Sequence, residues 1–298
     1  MLDYAALSAL AAVVREGSFE RAARALHVTP SAVSQRVRLL EERIGCALVV
    51  RGQPCLPTET GRRLCQHIDR VHLLEHELHD TLPGLVPEGV ARVTVPIAVN
   101  ADSLITWFTP ALSAFAAEAP VLMHVAVDDQ DHTAEWLRSG AVLAAVTGNV
   151  QPPAGCNSRP LGSMRYLAVA SPAYVARYFA DGVDGASLAV APSLVFNSKD
   201  ELQTRWVERL CQRHVELPRH TLPSASAFVT ATVAGMGWGL QPQSIASQLR
   251  DGSLVELVAS SPLDVPLHWQ QARAASALLD GLTRRVMDAA RAALMPMA

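Results

Sequence analysis

The chain lacks the features of a secreted, membrane-spanning or disulfide-stabilised protein. Its five cysteines are odd in number and show no CxxC spacing, which favours a reducing compartment over a disulfide framework or a structural zinc site. Charged residues, proline or glycine interrupt every apolar run before it reaches the length of a membrane span. The N-terminal segment is typical of an amphipathic helix rather than a signal peptide, since no basic stretch precedes its apolar part. We therefore expect a cytoplasmic protein with no membrane partner.

Motifs of the common enzyme classes are also missing. The sequence contains no GxSxG elbow, no P-loop, no GxGxxG and no HExxH. The glycine-rich segment GMGWGL at 235–240 is not followed by the strand and helix of a phosphate site. The sequence therefore predicts a protein that is not an enzyme and needs no cofactor or metal.

Lysine is nearly absent, with one lysine against 24 arginines, and the small net charge of −3 hides an asymmetry. Residues 1–65 hold nine arginines and six acidic residues, a net charge of +3, whereas the remainder carries −6. The cationic part, 1–65, is called the head below, and the acidic remainder the body. This asymmetry indicates a partner with phosphates that contacts the head only. Arginine suits bidentate contacts to phosphate and guanine.

The head contains a segment typical of a helix-turn-helix, AARALHVTPSAVSQRVRLLEER at 22–43. Thr29 is a good N-cap, and Pro30 then takes the first helical position, where its missing amide proton costs nothing. His27 and Val28 form the turn. Apolar side chains recur at helical spacing on the inner face of the second helix: Val33, Val37 and Leu40.

The outer face of that second helix is polar and cationic, and its size fits the major groove of DNA. We predict DNA contacts from this face, from its flanks and from the wing that follows: Ser18, Thr29, Ser31, Ser34, Gln35, Arg36, Arg38 and Arg51. An ordinary helical hairpin with a solvated polar face is the alternative.

The pattern around this motif predicts a winged helix-turn-helix domain over 1–58. A first helix covers about 3–15, and a short strand at 48–50, a turn at 51–54 and a return at 56–57 form the wing. A long helix then runs over about 58–81, and Pro83, Gly84 and Pro87 mark a hinge, so that 59–87 is the linker. An apolar stripe on this helix predicts pairing with a second copy of the chain, through Leu64, Ile68, Val71, Leu74 and Leu78.

Beyond the hinge, strands and helices alternate, which predicts parallel sheets covered by helices. Strands are expected over 92–99, 121–127, 142–147, 165–170, 194–196, 219–222, 237–240 and 267–271, and helices over 103–118, 133–139, 172–179, 200–213, 225–234 and 278–294. The fold class is therefore α/β, with a winged helix-turn-helix, a linker helix and a two-lobed effector domain like a periplasmic binding protein. We expect this domain over 88–298, with one lobe at 88–161 and 266–298 and the other at 162–265.

Ligands of such folds bind between the lobes, at the carboxyl ends of strands. A helix start after the first strand would attract a carboxylate, with Ser103 as hydroxyl donor, and an acidic pair after the next strand suits an ammonium or guanidinium group. Helix capping and a solvated loop are the alternatives. The predicted effector residues are Asn100, Asp102, Ser103, Asp128, Asp129, Thr147, Phe196, Asn197, Ser226 and Phe228.

One long segment resembles the DNA-binding signature of the LysR-type transcriptional regulators: SFERAARALHVTPSAVSQRVRLLEERIGCALVVR at 18–51. Three more segments are similar to the ArgP/LysG branch of that family: VNADSLITWFTPAL at 99–112, VDDQDHTAEWLRSGAV at 127–142 and SASAFVTATVAGMGWGLQPQ at 224–243. The resemblance implies a homodimer or homotetramer that binds a double-stranded operator and contacts RNA polymerase. It also implies that lysine or arginine is the effector and that a basic amino acid exporter gene is activated.

Two other functions stay open at this point. One is a LysR-type regulator of an unrelated small anion, which Asp128 and Asp129 pointing away from the cleft would favour. The other is a sequence-tolerant architectural DNA-binding protein whose body only oligomerises, which an apolar, uncharged cleft would favour.

Overall fold

The computed structural model describes residues 3–81, 93–119, 121–243 and 247–297. The chain forms two compact units, Met1–Val93 and Thr94–Ala298. No helix in the described ranges is both long enough and apolar enough to cross a membrane. The predicted hinge residues Pro83, Gly84 and Pro87 lie outside the described residues.

The first unit is a helical domain with a small wing. Its helices are α1 (Tyr4–Glu16), α2 (Phe19–Ala25), α3 (Pro30–Ile44) and α4 (Glu59–Thr81). The wing consists of the antiparallel strands β1 (Val49–Val50) and β2 (Leu56–Pro57). Helix α1 carries the most apolar sequence of the unit, and residues such as Leu7 and Leu10 are fully buried where it packs against the other helices.

The turn between α2 and α3 has the left-handed residue and the helix cap that the sequence predicts. His27 adopts a left-handed conformation with φ of 53°, and the Thr29 side chain accepts a hydrogen bond from the amide of Ala32. Val33, Val37 and Leu40 are buried, as their spacing predicts. The sequence thus encodes the orientation of α3 directly, because its cap and its apolar stripe specify which face is left to solvent.

The stripe predicted for dimerisation is divided between two environments. Ile68 is buried, and Leu64 and Val71 pack against the same apolar cluster of their own domain. Ile68 therefore belongs to the core of the first unit, whereas Leu64 and Val71 are only partly buried there, and their contact with a partner stays a prediction. Leu74 is 55 % exposed, while the side chain of Leu78 lies outside the described residues.

The second unit begins with three strands of a mixed sheet, β3 (Val93–Asn100), β4 (Val121–Asp128) and β5 (Ala144–Thr147), with β3 central and parallel to β5. The single helix predicted over 103–118 is broken into α5 (Ala101–Ser103), a π-helical turn (Leu104–Phe108) and α6 (Thr109–Glu118). Helix α7 covers Thr133–Arg138. The helical segment starts two residues earlier than predicted, so Ser103 lies inside it and not at its cap.

The second lobe is built from short strands and helices. Strands β7 (Ser193–Val195) and β8 (Arg219–Thr221) are parallel, and β9 (Gly239–Pro242) and β10 (Val255–Glu256) pair with the larger sheet. The helices are α8 (Pro172–Tyr178), α9 (Gly185–Val190), α10 (Leu202–Cys211), α11 (Ala225–Val233) and α12 (Ser247–Asp251). The sequence pattern missed α9, α12 and β10, which are too short for a clear periodicity.

Two long antiparallel strands join the lobes, β6 (Cys156–Ala170) and β11 (Leu263–Ala272), and α13 (Ser276–Ala293) follows them. The prediction placed only 165–170 and 267–271 in strands and was wrong about their length. Pairing between the two segments extends both of them, which no local pattern reports. The register shifts between Leu267 and His268, opposite Gly162, which has a φ of 129°. The strands therefore change their geometry at the point where one lobe passes into the other.

Gly61, in the first turns of α4, is the closest approach of this helix to the wing. A Cβ at this position would lie 2.0 Å from the carbonyl oxygen of Leu48. That oxygen accepts the amide of Thr58, so it has little freedom to move. We expect Gly61→Ala to lower the free energy of unfolding of the first unit by about 1–3 kcal/mol, because overpacking outweighs the gain of about 1 kcal/mol in helix propensity.

Gly52→Ala is the matched control for this substitution. A Cβ on Gly52, in the wing turn, would meet its nearest atom at an ordinary 3.4 Å. Thermal unfolding of the two variants checks the prediction, since a lower Tm is expected for Gly61→Ala alone. Equal melting temperatures for Gly61→Ala and the wild type would contradict it.

Candidate functional site

The outward face of α3 is the candidate DNA-recognition surface. Ser31, Gln35 and Arg38 are exposed, while Ser34 and Arg36 are partly exposed. The Thr29 and Ser31 hydroxyls lie 3.0 Å apart at the start of the helix, where free amides also point outward. The face therefore presents the hydroxyl, amide and guanidinium groups that read base edges and phosphates.

Besides Thr29 and Ser31, three more of the predicted DNA contacts are engaged with the protein itself. The Ser18 hydroxyl caps α2 by accepting the amide of Arg21, and it donates to Glu20. Arg38 forms an exposed ion pair with Glu42 at 2.8 Å. The guanidinium of Arg51 lies over the ring of Phe19, 5.4 Å from its centroid, which fixes the base of the wing. Their contact with DNA stays a prediction.

The second unit contains an open cavity between its lobes. Four aspartates line it. Asp102 lies in α5, Asp128 ends β4 and Asp129 follows it, and Asp200 lies between β7 and α10. Among the described residues that line the cavity, none is arginine, lysine or histidine. The electrostatic potential of this cavity therefore favours a cation.

Asp102 lies near the base of the cavity, on the first turn of α5. Its Oδ2 atom accepts a hydrogen bond of 2.9 Å from the hydroxyl of Tyr166, a buried residue of β6. Burial raises the pKa of Asp102 to about 6; the Tyr166 hydrogen bond opposes this effect, and the nearby Asp200 and Asp129 add to it. Within the described part of the chain, Tyr166 is the one side chain that donates to this carboxylate.

The residues Asp129 and Asp200 are nearly fully buried, at 6 % and 4 % exposed. Burial raises the pKa of Asp129 to about 6, with the amide of Asp131 opposing the shift. Burial also raises the pKa of Asp200, although both of its oxygens accept backbone amides, from Phe196 and from Leu202. Asp200 is thus held by its own loop, whereas Asp129 retains an oxygen for a ligand.

Asp128 differs from the other three because its charge is already compensated. Its Oδ1 accepts the amide of Asp129, and its Oδ2 accepts the indole Nε1 of Trp136 at 3.0 Å. Lys199 approaches Oδ1 at 3.7 Å. Partial burial acts to raise the pKa of Asp128, but these hydrogen bonds and Lys199 outweigh it, and the pKa is lowered.

Asn100 supplies a neutral polar group at the end of β3. Its side chain is 98 % buried, and neither its Nδ2 nor its Oδ1 has a hydrogen-bond partner among the described residues. An unpaired buried amide costs about 1–3 kcal/mol. Because Asn100 lines the cavity, a ligand with both a donor and an acceptor would satisfy this group.

The structure brings six of the ten predicted effector residues to the cavity: Asn100, Asp102, Asp128, Asp129, Phe196 and Phe228. The other four lie outside its described lining: Ser103, Thr147, Asn197 and Ser226. Ser103 is fully buried inside the helical segment, and its hydroxyl has no hydrogen-bond partner among the described residues, so its donation to a carboxylate of the effector stays a prediction. The helix starts early enough to turn this side chain toward the interior.

Local hydrogen bonds occupy the remaining three side chains. The buried Thr147 hydroxyl donates to the carbonyl of Gln130. Asn197 accepts the amide of Lys199 in a tight turn. The Ser226 hydroxyl lies 3.2 Å from that of Ser224, the N-cap of α11. These residues shape the loops around the cavity without lining it.

Sequence reasoning missed Asp200, Gln241 and the apolar part of the lining. The apolar residues are Leu202, Val229, Leu240 and Pro242. Asp200 lies in the segment after β7, where the strand-end rule could have found it together with Phe196 and Asn197. Gln241 gave no local signal, because β9 reaches the cavity only by pairing with β6.

Two family models cover most of the chain. Residues 4–62 match the bacterial regulatory helix-turn-helix protein, lysR family, and residues 88–295 match the LysR substrate binding domain. The matched ranges correspond to the helical domain with its wing and to the two-lobed α/β domain, and they confirm the predicted fold class.

Proteins of this family include relatives of high similarity. The chain is 44 % identical over 288 residues to the HTH-type transcriptional regulator ArgP of Pseudomonas aeruginosa, covering 96 % of this chain and 95 % of that protein. It is 42 % identical to the crystal structure of ArgP from Mycobacterium tuberculosis, with full coverage of both chains and a TM-score of 0.81.

A third relative is the full-length LysG of Corynebacterium glutamicum, described with bound effector Arg. It is 38 % identical, covers 99 % of this chain and 100 % of its own, and has a TM-score of 0.70. The cavity, the recognition helix and these matches agree, and the chain belongs to the LysR family of bacterial helix-turn-helix transcriptional regulators.

Proposed function

We propose that this regulator binds a basic amino acid, lysine or arginine, in the cavity between its lobes. The observation that carries the proposal is the lining, with four aspartates and no basic side chain among its described residues. The unpartnered, buried Asn100 amide points independently to a polar ligand at the same place. A related protein, LysG of Corynebacterium glutamicum, is described with arginine bound.

The side-chain cation of the effector fits best between Asp102 and Asp129. Both carboxylates keep an oxygen that no described residue occupies, whereas Asp200 and Asp128 are already saturated by amides or by Trp136. A desolvated carboxylate pair strengthens the attraction to a cation, because few waters screen it. We therefore assign Asp102 and Asp129 to the ammonium or guanidinium of the ligand.

The remaining groups suit the rest of an amino acid with a long aliphatic chain. Phe196, Phe228 and Leu240 supply apolar walls for its methylene groups. Helix α11 starts at Ala225 in the lining, and its positive end favours the ligand's carboxylate. We assign the carboxylate to this end in place of Ser103.

Ligand binding would act on transcription by a population shift between lobe arrangements. We propose that the regulator binds its operator as a homodimer or homotetramer in the cytoplasm, contacts RNA polymerase and activates a basic amino acid exporter gene. The exposed Leu74 on α4 supports a partner contact through this helix. The acidic lining disfavours both an anionic effector and a purely architectural role.

Calorimetry with lysine, arginine and norleucine on the full chain tests the effector. Norleucine keeps the amino acid backbone and an aliphatic chain but lacks the terminal cation. We expect lysine and arginine to bind about tenfold to hundredfold more tightly, because a hydrogen bond to a charged group contributes about 1.5–3 kcal/mol. Equal affinity for norleucine, or no binding of either basic amino acid at millimolar concentration, would contradict the proposal.

Asp102→Asn extends the same experiment to a residue. We expect this variant to lose most of its preference for the basic amino acids, while norleucine binding changes little. Asp280→Asn is the control, since Asp280 is an exposed carboxylate of α13 outside the cavity lining. A preference that survives Asp102→Asn would remove Asp102 from the assignment.

The affinity for arginine should depend on pH between about 5 and 7. Asp102 and Asp129, whose pKa values are raised to about 6, are ionised above this range and protonated below it. Arginine stays charged throughout, so its affinity should be constant above pH 7 and fall below pH 6. Near pH 6, binding should release protons, which calorimetry in buffers of different ionisation enthalpy measures. An affinity that does not change from pH 5 to 8 would contradict these roles.

The recognition surface is tested with Arg36→Ala. We expect a loss of about 1–3 kcal/mol in binding to a duplex selected by the wild-type protein from a random pool, together with relaxed specificity at one base pair. Arg138→Ala, on α7 of the effector domain, removes the same charge elsewhere and serves as the control. Fluorescence anisotropy with selected and scrambled duplexes measures both effects. Wild-type affinity for both duplexes would remove Arg36 from the reading face.

A further inference from the structure

Two ion pairs join the end of β4 and the turn after it, in one lobe, to α10 and the segment that leads into it, in the other. Lys199 Nζ lies 3.7 Å from Asp128 Oδ1, and Arg205 Nη1 lies 3.5 Å from Asp131 Oδ2. Both cations are similarly exposed, at 47 % and 42 %. The difference between the pairs is their location, because Asp128 lines the cavity and Asp131 is not part of its lining.

Lys199 has an unusual position for a chain that otherwise uses arginine. It is the one lysine in the sequence, and its neighbour Asp200 lines the cavity. Its ammonium group is chemically the same as the side-chain terminus of free lysine. The carboxylate it approaches is held by Trp136 and by the amide of Asp129, so that carboxylate cannot turn away from the cavity without breaking both hydrogen bonds.

We infer that Lys199 is an affinity-determining residue that acts as a tethered competitor of the effector's cation, because its ammonium pairs with Asp128 at the edge of the cavity and opposes a second positive charge at Asp102 and Asp129. The inference rests on the proposed function, since it concerns the occupancy of the same cavity. In the empty protein, Lys199 compensates the outermost carboxylate and leaves Asp102 and Asp129 as the strongest cation sites. A basic amino acid whose cation binds Asp102 and Asp129 then repels the Lys199 ammonium and loosens its ion pair with Asp128. Lys199 thereby weakens the affinity for cationic ligands and raises the effector concentration to which the regulator responds.

Lys199→Met and Arg205→Met form a matched pair of variants for this inference. Each removes one exposed positive charge and one ion pair between the lobes. We expect Lys199→Met to raise the affinity for arginine and for lysine by about threefold to tenfold, because the ligand's cation no longer meets a like charge. Arg205→Met should change the same affinities by less than about twofold. Calorimetry on the full chain measures all of them.

Each other outcome of this comparison overturns the inference. Weaker binding by Lys199→Met would mean that Lys199 holds the carboxylate of the ligand instead. An equal rise in both variants would mean that loosening the lobes, and not the charge of Lys199, changes the affinity. If the wild type binds neither amino acid, the proposed function itself fails and the inference falls with it, whereas wild-type binding with an unchanged Lys199→Met variant rejects the inference alone.

The single lysine also permits a direct spectroscopic test. Protein labelled with ¹³C at lysine Cε should give one lysine signal, which reports the surroundings of Lys199. We expect unlabelled arginine to shift this signal toward its position in the Asp128→Asn variant, where the ion pair is absent. A signal that does not move at saturating arginine, or one that already matches Asp128→Asn in the empty wild type, would overturn the inference.

Discussion

The antiparallel pairing of β6 with β11 is the constraint on which the effector domain depends. These strands run through both lobes, and their register joins Cys156–Tyr166 to Leu263–Ala272. The pairing returns the end of the chain to the first lobe, where α13 covers the sheet and Trp269 is fully buried. It also places Tyr166 where its hydroxyl reaches Asp102, so one continuous strand supplies both the connection between the lobes and a contact at the base of the cavity.

Burial of a carboxylate in the cavity lowers the stability of the folded protein at neutral pH, and a bound cation would offset this cost. A pKa raised from 3.8 to about 6 means that the folded protein holds Asp129 in a place that disfavours its charge. For this buried group the cost at neutral pH is on the order of 2–3 kcal/mol, since each pKa unit corresponds to about 1.4 kcal/mol. The contribution of Asp129 to stability is therefore greatest below its unfolded pKa and is lost as pH rises through about 6. A bound cation pairs with the carboxylate and removes this cost.

The four aspartates of the cavity differ in the hydrogen bonds and ion pairs that their carboxylates already make. Both carboxylate oxygens of Asp200 accept backbone amides, and one of these bonds holds Phe196 in the lining. Asp128 is stabilised by Trp136 and Lys199, so it belongs to the edge of the cavity. Asp102 and Asp129 are buried carboxylates whose negative charge is compensated by few hydrogen bonds. Geometry and the directions of the pKa shifts thus agree on where a positive charge is most needed.

The sequence by itself determined the elements whose signals are local. Thr29, Pro30 and the buried stripe of α3 specify the recognition helix within a single turn-helix segment, because capping and helical spacing act over a few residues. The strand-end rule likewise identified Asn100, Asp102, Asp128 and Asp129, since the polar residues that follow parallel strands meet at one edge of a sheet.

Only the tertiary structure decided which of these side chains line the cavity. Ser103 and Thr147 obey the same rule but turn into the interior, since the helix start and the loop bonds set their directions. Gln241 lines the cavity because β9 pairs with β6. In the first unit, Ile68 is buried in the core of its own domain. Lys199 meets Asp128 across 71 positions of sequence. Such contacts depend on strand pairing and packing between distant segments, and no pattern of neighbouring residues encodes them.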